Sequence, residues 1–173
     1  MGLAGNGTIP AAHAGRIALA KRAGMQVMEL VRRDICPHDI LTAAAFENAL
    51  AVDMALGCST NSMLHLPAIA NECGVPFDLD LANRVSERTP NLCHLAPAGP
   101  TYMEDLHEAG GVPAVLRTLA DGGLLRTDVL TCTGRTMAEN IADARVLDPA
   151  VIRPLDDPFG ATGGIAVLGG NLA

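Results

Sequence analysis

The chain is 173 residues long, with 49% hydrophobic but only 2% aromatic residues, which predicts one domain with a core of aliphatic and methionine side chains. Its formal net charge of −7, with basic residues scattered along the sequence, argues against binding to DNA or RNA phosphates and so against a nucleic-acid partner. No apolar run approaches the roughly 20 residues that a membrane-spanning helix requires, and the first residues have no basic leader region, so we expect a cytoplasmic protein without a membrane partner.

Helical periodicity dominates the first third of the chain. From residue 11 to about residue 33, apolar residues recur at steps of three and four, which predicts an amphipathic helix. These residues are Ile17, Ala20, Gly24, Val27, Leu30 and Val31. A second helix is predicted to start after the capping residue Thr42 and to end at Gly57, because glycine favours the backbone conformation that closes a helix.

Further helices are predicted between the turn signals of the middle region. Ser59 or Thr60 is expected to cap a third helix that ends at about residue 71. The segment between residues 88 and 101 is rich in proline and glycine and is predicted to be an irregular connection. Short helices are predicted at about residues 80–87, 102–109 and 113–122.

The last part of the chain carries β-sheet signals beside one more helix. Thr136 and Glu139 have the spacing of a capping box, which predicts a helix that ends before residue 148. Strand-like runs occur at residues 129–133, 151–152 and 165–168. The predicted fold is therefore predominantly α-helical with a few short strands.

The five cysteines show no pattern of a metal or disulfide framework. They are irregularly spaced, form no Cys-x-x-Cys pair and are odd in number. We therefore expect free, buried thiols. The residues are Cys36, Cys58, Cys73, Cys93 and Cys132.

Several segments carry a specific pattern that extends over nearly the whole chain. They include Gly-Cys-Ser-Thr-Asn at 57–61, Asn-Leu-Cys-His-Leu-Ala-Pro at 91–97, Ala-Gly-Gly-Val-Pro at 109–113 and Val-Ile-Arg-Pro-Leu at 151–155. In these motifs the sequence resembles the dihydroxy-acid and sugar-acid dehydratase family. Within that family it looks more like the dihydroxy-acid branch of branched-chain amino-acid synthesis than the phosphogluconate branch.

The resemblance implies a parent architecture of two domains. The parent fold is an α/β N-terminal domain joined to a β-barrel-like C-terminal domain, and the parent enzyme is expected to be a homodimer. Residues 1–147 are then expected to be the latter, helix-rich part of the N-terminal domain. Residues 148–173 are expected to be a linker and the first strands of the barrel-like domain, so that the chain is an internal piece of the enzyme.

The resemblance also implies an activity and its cofactors. The family removes water from a 2,3-dihydroxy carboxylic acid, a step in valine and isoleucine biosynthesis, and leaves a 2-oxo acid. An iron-sulfur cluster serves as Lewis acid, together with a magnesium ion. The motifs that hold both cofactors and the serine base are absent from this sequence, so we expect no catalytic residue, no metal ligand and no activity from this chain alone. A sugar-acid dehydratase piece or a non-catalytic binding module is the alternative.

The Gly-Cys-Ser-Thr-Asn loop carries the candidate substrate contacts. Ser59, Thr60 and Asn61 stand where a helix begins, and the free N–H groups and positive dipole end there can hold a carboxylate. His65 could face the same pocket. The alternative is that the first three residues only cap the helix and that His65 is a core group. Cys58 is not expected to be a cluster ligand, because the family often has glycine at that position.

Two further expectations concern packing. Asp53 lies beside the apolar face of the second predicted helix, where an unpaired carboxylate would be costly, so we expect it to accept a buried hydrogen bond and to be structural. Several helices are expected to expose apolar faces, which predicts self-association.

Overall fold

A computed structural model describes residues 2–171 of the chain. In this part of the chain the structure contains eight α-helices. They are α1 (Gly15–Arg32), α2 (Pro37–Ile40), α3 (Ala43–Leu56), α4 (Ser62–Glu72), α5 (Leu79–Arg88), α6 (Met103–Glu108), α7 (Gly111–Asp121) and α8 (Met137–Ile141). Seven of them confirm predicted helices; the four-residue α2 was not predicted. Helix α8 is much shorter than expected.

Helix α3 is the centre of the fold. Nine of its fourteen residues are buried, as is typical of a helix that is apolar on all sides. The Thr42 hydroxyl accepts a hydrogen bond from the Ala45 N–H at 3.3 Å, and Gly57 closes the helix with a φ of 63°. Both ends of α3 therefore form as predicted, from local sequence alone.

The other helices are arranged around α3. Helices α4, α5 and α7 contact α3 directly, while α6 and α8 contact α7. In α8 the predicted capping box is confirmed: the Thr136 hydroxyl accepts from the Glu139 N–H at 3.2 Å, and the Glu139 carboxylate accepts from the Thr136 N–H at 2.8 Å. The core of the molecule thus lies between α3, α5 and α7 and is built from aliphatic residues, with Leu50, Met54, Val85, Val115 and Leu119 fully buried.

The predicted strand at residues 129–133 is wrong. Only one isolated antiparallel bridge forms here, between Leu130 and Thr136. The chain reverses inside the predicted strand, because the Thr131 N–H donates to the Arg135 carbonyl at 3.0 Å and Gly134 adopts a φ of 71°. A turn that tight leaves no room for a strand partner.

The prediction of short strands and the beginning of a barrel-like domain in the tail is also wrong. Between residues 2 and 171 the structure has no strand, only three isolated bridges. The backbone groups that a neighbouring strand would pair are taken by α5: Asn83 bonds both the N–H and the carbonyl of Val167, at 2.9 and 2.8 Å, and the Ser86 hydroxyl donates to the Ile165 carbonyl at 2.7 Å. The last two residues of the predicted second domain lie outside the described residues.

Helix α1 buries fewer of its apolar residues than the apolar periodicity predicts. Leu19 is its only buried residue, whereas Ile17, Val27 and Val31 are 66%, 57% and 67% exposed. The helix approaches the rest of the molecule with Leu19, Ala23 and Leu30, which flank a cavity that Val27 also lines. The apolar periodicity therefore predicted the helix but only part of the side on which it is buried.

Candidate functional site

The loop between α3 and α4 reverses the chain at the surface. The left-handed conformation of Gly57 directs the backbone out of α3, and the Cys58 N–H donates to the Asp53 carbonyl at 3.1 Å, in the pattern of a Schellman motif. Ser59, Thr60 and Asn61 follow and are all exposed. A helix terminus built in this way places three polar side chains next to one another in solvent.

The predicted side-chain cap of the third helix is wrong. Helix α4 begins after Asn61, and no side chain makes a capping hydrogen bond there. The nearest contact is between the Asn61 N–H and the Ser59 hydroxyl at 3.4 Å, which is long for a hydrogen bond. The side chains of these loop residues are therefore not occupied by capping.

Ser62, the first residue of α4, connects this loop to the core. Its hydroxyl oxygen lies 2.7 Å from Asp53 Oδ2 and 2.8 Å from the Ser59 carbonyl oxygen. The first contact gives Asp53 the hydrogen-bond partner that was expected for it. Burial raises the pKa of Asp53, while hydrogen bonds from Ser62 and Cys58 act in the opposite direction.

The two thiols near the loop are poor candidates for ionisation. Burial, and then the negative charge of Asp53, raises the pKa of Cys58 to about 12, although the residue as a whole retains exposed surface. Burial alone raises the pKa of Cys93 to about 12. All five cysteines are free, as predicted, but Cys93 is the only buried one.

A second segment closes the other side of the α3 terminus. The Asn91 side-chain amide donates to the Ala55 carbonyl at 3.2 Å, and the N–H groups of Leu92 and Cys93 bond the same carbonyl at 2.7 and 3.1 Å. Gly164 lies so close to Gly57 that a Cβ atom added to Gly164 would be 2.6 Å from the Gly57 Cα atom. The tail, the 91–93 segment and the loop therefore meet at one end of α3.

A cationic and aromatic group lies beside this meeting point, and sequence reasoning did not identify it. The Phe159 ring has the His94 ring 5.4 Å away and the Arg153 guanidinium 5.1 Å away, measured to its centroid. Arg153 also donates to Asp157 at 2.7 Å. The available signal was the Val-Ile-Arg-Pro-Leu motif, in which Arg153 is the only charged residue.

His65 is exposed on α4, three residues after Ser62 and hence on the same face of the helix. The interpretation of His65 as a core group is therefore wrong. The structure brings it to the same end of the molecule as the loop, but it shows no hydrogen bond that would orient its ring among those described.

The described residues do not fit an iron-sulfur cluster or a magnesium site of their own. No group of three His, Cys, Asp or Glu side chains in residues 2–171 is placed to hold a metal ion. A cluster is held by several thiolates, and no three cysteines in this part of the chain come together. No chemical step can be derived for this chain through either cofactor.

Comparison with known proteins gives a consistent result. Residues 1–140 match the family model described as dihydroxy-acid/6-phosphogluconate dehydratase N-terminal. A protein of Agathobacter rectalis named dihydroxy-acid dehydratase is 66% identical over all 173 residues, and those of Lachnoclostridium phytofermentans and Acetivibrio thermocellus are 65% and 62% identical. The chain spans 31% of the length of each of these relatives. None of the described helices is both long and apolar enough to cross a membrane.

Proposed function

Since the chain belongs to the dihydroxy-acid/6-phosphogluconate dehydratase family, we propose that it is part of a hydro-lyase that removes water from a 2,3-dihydroxy carboxylic acid and leaves a 2-oxo acid. The observation that carries this proposal is identity of 60–66% to relatives named dihydroxy-acid dehydratase, over every residue of the chain. The same names favour a dihydroxy acid over a sugar acid, and within that class we propose a branched-chain substrate of valine and isoleucine biosynthesis.

The role we propose for this chain is to hold the substrate. Ser59, Thr60 and Asn61 offer hydroxyl and amide groups that no capping bond occupies, at the positive dipole end of the eleven-residue α4. Such a terminus favours a negatively charged group. We assign His65 to the same surface, because it lies one turn further along the helix.

The proposed function also includes the cofactors of the family. An iron-sulfur cluster and a magnesium ion supply the Lewis acid chemistry when bound. We assign their ligands to parts of the relatives that this chain does not span, because the thiols and carboxylates described above do not fit them. A cytoplasmic homodimer is the assembly we propose for the complete enzyme.

A chimera tests the activity. This chain would replace the matching segment of the Agathobacter rectalis relative, and the purified protein would be prepared without oxygen and assayed for 2-oxo acid release. We expect turnover of a branched 2,3-dihydroxy acid and little turnover of a sugar acid. Preferential turnover of the sugar acid would move the chain to the other branch, and a folded chimera with no turnover of either would contradict the proposal.

The same chimera tests the loop. Asn61→Ala removes an exposed amide from the proposed substrate surface, and Asn71→Ala removes one from the opposite end of α4 as a matched control. The loss of one hydrogen bond to a charged ligand is worth about 1.4 kcal/mol, or roughly tenfold in KM. We expect that rise for Asn61→Ala only; equal KM values for both variants would exclude a substrate contact at Asn61.

A further inference from the structure

The Ser62 hydroxyl has more acceptors around it than it has protons. It lies 2.7 Å from Asp53 Oδ2 and 2.8 Å from the Ser59 carbonyl oxygen. A hydroxyl carries one proton and can donate it to one of these oxygens at a time. With an ionised Asp53, one of the two short contacts therefore joins two oxygen atoms with no proton between them.

One proton on Asp53 removes this conflict. The protonated carboxyl donates to the Ser62 oxygen, and the Ser62 hydroxyl then donates to the Ser59 carbonyl. Both short contacts become hydrogen bonds of ordinary length. The position of the Ser59 backbone is in this way connected to the protonation state of a side chain in the core.

Among residues 2–171, no ion pair involves Asp53. Asp53 is 7% exposed. The arginines of α5 and α7, which pack on α3, form ion pairs with other carboxylates. These ion pairs are Arg88–Glu47 at 3.1 Å, Arg84–Asp78 at 3.6 Å and Arg117–Asp121 at 2.9 Å. The other titratable groups on this side are the Cys58 and Cys93 thiols and the exposed His65 of α4.

We propose that Asp53 is a positioning residue: in its protonated form it fixes, through Ser62, the loop Ser59–Asn61 in the conformation that binds the substrate carboxylate. The proposal rests on the substrate role of that loop given above. Loss of the proton turns the Ser62 hydroxyl toward Asp53, leaves the Ser62 N–H, at 3.2 Å, as the remaining donor to the Ser59 carbonyl, and loosens the loop. Asp53 itself does not contact the substrate.

The direction of the pKa agrees with this geometry. Burial raises the pKa of Asp53 above its ordinary value of 3.8, so the folded chain keeps the proton to a higher pH than the unfolded chain does. The contribution of Asp53 to stability is therefore fully present below 3.8, and it is lost as the pH rises through the raised pKa.

The test is a titration of the purified chain by NMR, with the side-chain carboxyl carbons of Asp and Glu labelled. We expect Asp53 to titrate above its ordinary value, and the amide signals of residues 59–62 to shift with the same midpoint. In Asp53→Asn the amide group donates to Ser62 as the protonated acid does. The loop signals of that variant should therefore keep their low-pH positions at every pH.

Two further variants complete the experiment. Ser62→Ala removes the connection, so the loop amides should no longer follow the Asp53 titration. Asp80→Asn changes an exposed carboxylate of α5 and should leave both titrations unaltered. If Asp53→Asn does not fold, the NMR titration of the unmodified chain is sufficient to test the proposal.

The proposal would be overturned if the titration midpoint of Asp53 were at or below 3.8. It would also be overturned if the amide signals of residues 59–62 did not shift with that midpoint. These measurements use no substrate, so such a result leaves the dehydratase assignment intact. Conversely, Asn61→Ala could leave KM unchanged while Asp53 titrates above 3.8 as expected. That result would remove the substrate role of the loop but not the proton on Asp53.

Discussion

Cys58 illustrates how a single residue can be exposed and still unreactive. The residue reaches solvent, but burial of its thiol raises the pKa of Cys58 to about 12. Because the thiolate is the nucleophile, the side chain reacts only to the extent that it ionises.

Alkylation measures this effect directly. Treated with iodoacetamide near pH 8, Cys58 should react at least about tenfold more slowly than Cys36, which is also exposed but lies at the start of α2. The measurement is the rate of modification of each peptide by mass spectrometry. Equal rates would mean that the Cys58 thiol is not desolvated.

At the scale of elements, two asparagines connect irregular segments to helices. Asn83 on α5 bonds both backbone groups of Val167, and Asn48 on α3 bonds both backbone groups of Arg126, donating at 2.8 Å and accepting at 2.9 Å. Each amide side chain thus satisfies the backbone in the way a neighbouring strand would. This is why the tail can be ordered without a sheet.

Removal of one of these amides should detach the tail. Asn83→Ala loses two hydrogen bonds and leaves partly buried backbone groups unpaired, which should lower the free energy of unfolding by about 1–3 kcal/mol. Hydrogen exchange at the Val167 amide should also become faster. Asn71→Ala, at the exposed end of α4, is the control and should change neither; an unchanged Val167 amide in Asn83→Ala would contradict this account of the tail.

At the scale of the whole molecule, the exposed apolar stripe of α1 is the most unusual feature. Ile17, Met25, Val27, Met28 and Val31 are each more than half exposed. Exposed apolar side chains on one side of a helix favour association. The predicted self-association of the isolated chain therefore has a definite surface.

A change of charge on this stripe should reduce association. Val31→Lys places a charge in the stripe, whereas Thr162→Lys adds the same charge at an exposed polar position in the tail. We expect a lower apparent mass at high concentration for Val31→Lys only, measured by sedimentation velocity. If both variants associate like the unmodified chain, the stripe is not the contact surface.

Local signals in the sequence determined the helices and their ends. The capping residue Thr42, the closing residue Gly57 and the box of Thr136 with Glu139 act over a few residues, so they could be identified without knowledge of the fold. The family could likewise be identified from contiguous motifs. The free state of the cysteines followed from their spacing.

Only the tertiary structure decided which partner each segment meets. The runs at 129–133 and 165–168 have strand composition, but a strand requires a neighbour, and here a turn and the side chains of Asn83 and Ser86 take the backbone groups instead. The buried side of α1 and the contact of the Ser62 hydroxyl with Asp53 likewise depend on contacts between elements. Sequence patterns encode what a segment prefers, whereas hydrogen-bond partners distant along the chain are chosen when the helices pack.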